Sequence, residues 1–462
     1  MIPVKSPKRF DVCVIGAGVA GTIAAIECQK NGLSVAVIER KAFPRFQIGT
    51  SFHESAVSLL ERLGIWESIQ ESRAFSTMTT QIEWAGKKAS KSTCSVDRAA
   101  FDHSLLNYAK QVGVEIYHPA IPGRPIHAGS FSWLLKVKTG HRLNEIESRF
   151  IIDASGRSNF LRKKRNHRGC RTIAMWAKWS ECGVVPSHIK IHSGLDEWFW
   201  TTPVGNEQLI AVFVDPHSLR RSNSKMQVYL DLVGTAPLVT PKMNLVEKSF
   251  NVRDATCWSS EDPIGEDWIQ IGEACFTLDP MSSQGVHSAM VTGVQAAAIA
   301  NTNFKQKCCE LSRRFYLART ESIQFHCANI SRMFYQEQAE HSPSEFWLRR
   351  ARLDAPHESR LDRAPLNMKA NSRLSLGSKV IFQKIPVLAG NVISERLGLV
   401  YPNGHDPIVT LDGIAIEKML TGFDSIHVED LKRKWTGLIT LERMDPVIQL
   451  LWQKEILVAG FN

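Results

Sequence analysis

The chain has 462 residues, 44% of them apolar, enough for two or three domains and a sizeable core. Fifty-six Lys and Arg against 46 Asp and Glu give a net charge of +10, which favours an anionic partner or cofactor; the charge is spread along the chain and accompanies no nucleic-acid-binding motif, so nucleic acid is not expected. No run of eighteen apolar residues occurs, the ten cysteines form no CxxC pair, and the basic start MIPVKSPKRF lacks a small-residue cleavage pattern, so no membrane span, disulfide framework or metal site is expected and the protein is read as cytoplasmic.

Phe10 to Arg40 (FDVCVIGAGVAGTIAAIECQKNGLSVAVIER) organises the rest. A strand at Val12 to Ile15 runs into Gly16, Gly18 and Gly21, a helix follows, and a second strand from Ser34 to Ile38 ends at Glu39. Gly16 permits a tight turn, Gly18 lets backbone approach a pyrophosphate, and Gly21 lets the helix pack closely on the strand. The helix N-terminus offers N–H groups and the positive end of its dipole. Glu39 stands where an acid accepts hydrogen bonds from a ribose, so this is a dinucleotide-type βαβ cradle.

Beyond the cradle, a Pro- and Gly-punctuated loop leads to a helix carrying Val57, Leu60 and Leu63, with Ser51 or Ser55 as its cap. Gln81 to Gly86 reads as a strand and turn, Arg98 to Val112 as a helix, and Val114 to Tyr117 as a strand. Trp133 to Val137 and Glu147 to Ile151 belong to a small meander ending in IIDASGRSN. From Thr172 to Asn251 the pattern favours antiparallel strands, and this block holds Trp176, Trp179, Trp198 and Trp200. Trp198 and Trp200 alternate with Phe199, so both face one side of a strand, where they either wall an aromatic pocket or fill the core. Ile269 to Ile271 returns to the nucleotide domain, followed by Gly272-Glu273, Asp279-Pro280 and a small-residue helix from Gly285 to Ala300. Asn303 to about Arg352 reads as helical, Leu353 to Leu376 as a polar linker, and the remainder as strand-like runs with helices at Ile414 to Leu420 and Val428 to Trp435.

Three separated blocks, GAGVAG with Glu39, IIDASGRS, and IGEACFTLDPMSSQG, together resemble the FAD-dependent monooxygenases of glutathione-reductase-like fold, a group that includes the flavin-dependent halogenases. The resemblance implies an α/β protein: a Rossmann-like FAD-binding domain (three-layer ββα) over 1–168 and 252–302, an inserted antiparallel-sheet substrate domain over 169–251, a helical segment over 303–352, a linker over 353–376 and a small C-terminal α+β module over 377–462. It implies FAD, with electrons from a reduced nicotinamide or an external flavin reductase, and O2. By motif, Gly16, Gly18, Gly21 and Glu39 would hold the adenosine and pyrophosphate, and Arg98 would reach the cofactor. Asp153, Gly156 and Arg157 match a strand-end motif. Gly272-Glu273 stands where the group has Gly-Asp for the ribityl chain, and Pro280, Ser283, Gln284 and Gly285 would lie beside the isoalloxazine.

Within the group two subfamilies compete. WFWTTP at Trp198 to Pro203 resembles the halogenases' WxWxIP, with Thr202 in place of isoleucine, but Met78 to Trp84 contains no lysine of the kind halogenases place before a strand tryptophan; Lys87 and Lys88 follow it. DPMSSQGVHSAM and the tail PVLAG…YPNGHDPIVTLDGIAIEKML resemble the flavoproteins that hydroxylate a tryptophan of a partner protein during tryptophylquinone cofactor biogenesis. The reading that follows is an FAD-dependent monooxygenase hydroxylating an indole or other aromatic substrate through a flavin hydroperoxide. The substrate is a small molecule or a tryptophan of a precursor protein. A tryptophan-type halogenase is the first alternative, an FAD-dependent isoprenoid or lipid reductase the second, and a non-catalytic FAD-binding scaffold the last. Such chemistry needs a positioned ring, a dry site and a proton donor and acceptor. His287 and Glu83 are the candidates for the proton, with His53 a further one, and Trp198, Trp200 and Trp84 are the candidates for the substrate wall.

Overall fold

The computed structural model describes residues 6–52, 54–72, 74–129, 132–184, 186–352, 366, 372–401, 406–422 and 424–460. It divides into two compact units, residues 1–309 with 323–354, and residues 310–322 with 355–462.

The first unit is built on two sheets. The strand Lys8–Ile15 pairs in parallel with Val35–Ile38 on one side and Arg142–Asp153 on the other, and Glu115–Tyr117 and Trp268–Gln270 extend the parallel set. Val12, Cys13, Val14 and Ile15 are almost entirely buried, as a strand covered on both faces requires. On one face the antiparallel strand Trp133–Thr139 folds over, so that Trp133, Leu135 and Val137 pack with Cys13, Ile15 and Ile38. The helices Val19–Lys30, Arg98–Gln111 and Gly285–Gln306 belong to the same unit. Gly293 lets the last of these approach the first: a Cβ there would meet the Ala20 carbonyl oxygen at 2.6 Å. Asp97 caps the middle helix by accepting from the Ala99 and Ala100 N–H groups.

The second sheet holds Ile173–Ser180, Glu207–Val214, Glu197–Val204 and His188–Ser193 in antiparallel order. The hairpin Phe75–Trp84 and Lys87–Val96 extends it, joined in parallel to His188–Ser193, and Asn244–Leu245 and Asn251–Asp254 pair with Ile173–Ser180 at the other edge. Ser51–Phe52 pairs with Lys87–Val96, so the sheet draws three strands from the expected nucleotide half of the sequence. One face packs on the helix Lys225–Thr235 through Met175, Phe199, Val212, Tyr229 and Val233. That helix interrupts a block read as strands. Ser224 caps it, and Val228, Tyr229, Leu232 and Val233 form its buried face.

The C-terminal part of the helix Cys309–His341 and the short helix Glu345–Ala351 cover the other face, burying Tyr335, Phe346 and Trp347 against Trp84 and Trp198.

In the second unit Arg373–Leu376 is a strand between Ile426–His427 and Leu457–Ala459, so the end of the expected linker is ordered sheet. The rest of that linker, apart from Leu366 and Ser372, lies outside the described residues. A hairpin of Ile381–Ala389 with Val392–Val400 and helices at Ile416–Leu420, Val428–Trp435 and Leu441–Gln453 complete this unit. Its core is Leu374, Leu399, Met419, Trp435, Ile448 and Leu457. Among the described residues no helix is long and apolar enough to cross a membrane.

Candidate functional site: a nucleotide cradle opening onto an aromatic wall

One cavity of about 1280 Å³ runs from the glycine cradle to the substrate sheet of the first unit. At one end lie Gly16, Gly18 and Glu39. Gly16 has φ +104°, and a Cβ on it would meet the Ala154 carbonyl oxygen at 2.5 Å. A Cβ on Gly21 would meet the Gly16 carbonyl oxygen at 2.0 Å, so helix and turn touch only because both residues are glycine. Gly18 is the N-cap of Val19–Lys30 with no side-chain cap, leaving the first N–H groups of the helix for a ligand. Glu39 is 6% exposed, and its two carboxylate oxygens accept from the N–H groups of Ala17 (2.9 Å) and Lys41 (2.7 Å). Each oxygen keeps lone-pair capacity for a ribose hydroxyl.

Midway, the strand-end and cofactor-reaching residues divide into those that line the cavity and one that supports it. Gly156, Arg157, Gly272, Glu273 and Arg98 line it. Asp153 does not line it. Fully buried, it accepts from the Ser155 and Leu161 N–H groups and from Gln270, and so shapes the loop that does. Glu273 is exposed and lies 3.3 Å from Arg157, while the N–H of Gly272 donates to Thr292. Arg98 forks onto Asp102 and donates to the Ile48 carbonyl, tying the helix to the loop beside the cavity. Arg45, for which the sequence carries no signal, also lines the cavity. It reaches within 3.9 Å of Glu39, and its buried Nε has no hydrogen-bond partner.

At the far end are Pro280, Ser283, Gln284 and Gly285. Ser283 sits at φ +52°, turning the chain from the short turn Pro280–Ser282 into the helix Gly285–Gln306. Asp279 anchors the turn: its carboxylate accepts from the Met281 N–H and from the Tyr335 hydroxyl at 2.9 and 3.0 Å. Burial pushes the Asp279 carboxyl up, against the N–H of Met281, the Tyr335 hydroxyl and the Arg350 charge. Arg350, 1% exposed, in turn donates to Asp215 (2.8 Å) and Thr172 (2.9 Å). A buried polar chain thus runs from the turn through the covering helices to the substrate sheet.

Facing the turn, the substrate sheet presents two cross-strand rows. Trp176, Ala211, Trp200 and Ile191 form one; Ala174, Phe213 and Trp198 form the other. All line the cavity. Trp198 stacks on Phe213 at 3.8 Å with the rings 10° apart, and its buried Nε1–H has no partner. Trp179, three residues from Trp176, falls on the opposite face and donates to Tyr229 at 2.9 Å, so the tryptophan block serves a wall and a core at once.

The structure does not bring three other candidates to this cavity. His287 is not among its lining residues, although Val286, Ser288 and Ala289 around it are. Glu83 points away: strand alternation sends Ile82 and Trp84 toward the aromatic side, and Glu83 meets Lys88 and His192 (3.1 Å) at a separate cleft of about 380 Å³. The Lys88 ammonium, outweighing the slight burial, holds the Glu83 carboxyl below its ordinary value. Trp84 is capped by Phe334 and Trp347 and donates to the Phe334 carbonyl, which makes it a packing residue. His53 lies outside the described residues.

A family model for FAD-dependent oxidoreductases matches residues 11–164, from the first strand through the strand-end loop. Over those residues, about a third of the chain, the sequence is similar to FAD-dependent oxidoreductases, which supports an FAD-dependent enzyme. The chain is 27% identical over 313 residues to the 1H-pyrrole-2-carbonyl-peptidyl-carrier-protein brominase of Pseudoalteromonas luteoviolacea, spanning 63% of this chain and 77% of that one. It is 26% identical over 321 residues to the tryptophan 2-halogenase of Chondromyces crocatus, spanning 63% of this chain and 61% of that one. In fold it is similar to CmlS, a flavin-dependent halogenase (TM-score 0.78, 18% identity, covering 98% of this chain and 96% of that one). It is also similar to QhpG, a peptidyl tryptophan dihydroxylase essential for tryptophylquinone cofactor biogenesis (TM-score 0.72, 20% identity, covering 96% and 99%). The two curated relatives are named for halogenation, the first alternative of the sequence reading, and not for the hydroxylation placed first there.

The cavity fits FAD by its own chemistry. The cradle tolerates no Cβ at Gly16 or Gly21, a helix N-terminus and the orphaned Arg45 Nε meet at its phosphate end, and a long channel leads to an aromatic wall.

Proposed function

We propose that this oxidoreductase uses FAD and O2 to place an electrophilic group on an electron-rich aromatic ring. The observation that carries the reading is the continuity of the glycine cradle, the Pro280–Gly285 turn and the Trp176–Trp198–Trp200 wall in one cavity. Halogenation has the better support, from the curated relatives. Hydroxylation is the second reading, on one specific observation: among the described residues the only lysines lining the cavity are Lys41 and Lys163, and none lies on the aromatic rows. A lysine near the substrate is what the resemblance leads one to expect of a halogenase.

Bound and reduced, FAD supplies the activation of oxygen. The chain's residues do the rest. The first-turn N–H groups of Val19–Lys30, with Arg45, would hold phosphates, and Glu39 would accept from a ribose. The Asp279–Tyr335 pair fixes the turn that Ser283 and Gln284 offer to the ring system. The two aromatic rows orient a flat substrate by stacking and exclude water.

The experiment is turnover of the FAD-loaded protein with a reduced nicotinamide and a flavin reductase, labelled dioxygen, and indole or tryptophan, with and without bromide. Bromine in the product supports halogenation, and labelled oxygen in it supports hydroxylation. Flavin reoxidation with the aromatic substrate unchanged rejects both.

A further inference from the structure

The cross-strand row that carries Trp198 does not end on an apolar residue. Register places Trp198 beside Phe213, Phe213 beside Ala174, and Ala174 beside Arg253 on the edge strand Asn251–Asp254. Alternation puts Val252 on the opposite face, against the Met175 core, and sends Asn251 and Arg253 to the cavity, which both line.

The exposed Arg253 guanidinium lies 6.0 Å from the Trp176 ring and donates to the neighbouring Val252 carbonyl. Among the described residues no carboxylate is within ion-pair distance of it. Of the other arginines at the cavity, Arg45 faces Glu39, Arg98 faces Asp102 and Arg157 faces Glu273, while Arg40, Arg124 and Arg162 line it, like Arg253, with no ion pair among the described residues; what sets Arg253 apart is its place at the end of an aromatic row. Between Arg253 and the stacked Phe213–Trp198 pair stands only Ala174, and Ala211 takes the matching place in the next row. Neighbouring strands lie about 4.8 Å apart, so a ring lying over the two alanines sits within a short side chain's length of the cation.

We infer that the substrate is an anionic aromatic, a ring bearing a carboxylate or similar acid group, with the ring over Ala174 and Ala211 and the acid on Arg253. The inference rests on the aromatic-wall reading above and sharpens it. It favours an aromatic acid over a peptidyl tryptophan with uncharged flanks.

The test is calorimetric titration of the FAD-loaded protein with indole-3-acetate, indole and tryptamine, for the natural chain and for Arg253→Gln and Arg253→Lys. Indole-3-acetate is expected to bind about tenfold more tightly than indole, and tryptamine more weakly than both. Arg253→Gln should erase the preference for the acid without changing the affinity for indole or for FAD, and Arg253→Lys should restore part of it. Equal affinity for the three probes, or an acid preference that survives Arg253→Gln, overturns the inference while leaving the aromatic wall standing. Loss of FAD affinity in Arg253→Gln also overturns it, since the residue would then serve the cofactor. Failure of the natural chain to bind indole or either indole derivative rejects the aromatic-wall reading, and this inference with it.

Discussion

Tyr335→Phe removes one hydroxyl that bridges both oxygens of a half-buried carboxylate. The two contacts, 2.9 and 3.0 Å to Asp279, form a charge-assisted bond in a partly buried site. Its loss leaves Asp279 with the Met281 N–H and the Arg350 charge as its remaining support. A hydrogen bond to a charged group is worth about 2 kcal/mol, and an unmatched buried charge costs a similar amount, so we expect Tyr335→Phe to destabilise the protein by about 2 kcal/mol near neutral pH. The sign of the pH dependence follows from linkage. Burial raises the Asp279 carboxyl in the folded state. A raised carboxyl favours folding below its unfolded value and loses that contribution as pH rises through the folded value. Removing the phenol donor raises Asp279 further, so the variant's deficit should widen toward neutrality and shrink on acidification, where a neutral carboxylic acid needs the donor less. The assay is urea unfolding followed by tryptophan fluorescence for both chains, near neutrality and at about pH 5. A deficit of equal size at both pH values, or none, refutes the claim that a partly buried Asp279 charge anchors the turn.

Gly16→Ala and Gly21→Ala each force a Cβ onto a carbonyl oxygen at 2.5 Å or less, and both should abolish stoichiometric FAD, read by the absorbance of the purified protein. The two faces of the tryptophan-bearing sheet predict opposite outcomes. Trp179→Phe, which removes the donor to Tyr229, should cost about 1 kcal/mol of stability and leave indole binding unchanged. Trp198→Phe, which removes an unpartnered N–H, should cost little stability and weaken indole binding, as thermal shift and titration would show. Arg350→Met should destabilise by about 3 kcal/mol, more than Arg349→Met. Arg350 is 1% exposed and serves Thr172 and Asp215 together, whereas the half-exposed Arg349 side chain pairs with the same Asp215 from outside.

What the sequence made legible was whatever a local rule dictates. The glycine spacing and Glu39 defined the cradle because backbone approach admits no side chain there. Period-two alternation put Trp198 and Trp200 on one face and Phe199 on the other, as found. Alternation does not say which face looks into a cavity, and Glu83 shows the cost: its strand runs as expected, but Ile82 and Trp84 take the inner side. Trp84 itself is inward yet covered by Phe334 and Trp347 from helices more than 240 residues along the chain, a contact no local pattern reports. His287 failed for helical reasons, since its neighbours Val286, Ser288 and Ala289 turn to the cavity and it does not. Two helices passed unread. Lys225–Thr235 was hidden among strands despite the Ser224 cap, and Leu441–Gln453 carries Pro446 inside it, a residue that ordinarily argues against a helix interior. Arg45 and Arg253 drew no notice because a charged residue in a loop or on an edge strand is ordinarily solvated. Only the register of Arg253 beside Ala174 gives it a place.

The most direct measurement of the central claim is a structure of this chain with FAD bound. The account predicts the adenosine at Gly16 and Glu39, and the flavin ring against the turn of Ser283, Gln284 and Gly285 with Trp198 and Trp200 on its open side. FAD bound elsewhere, or a flavin ring separated from the aromatic rows by protein, would contradict it.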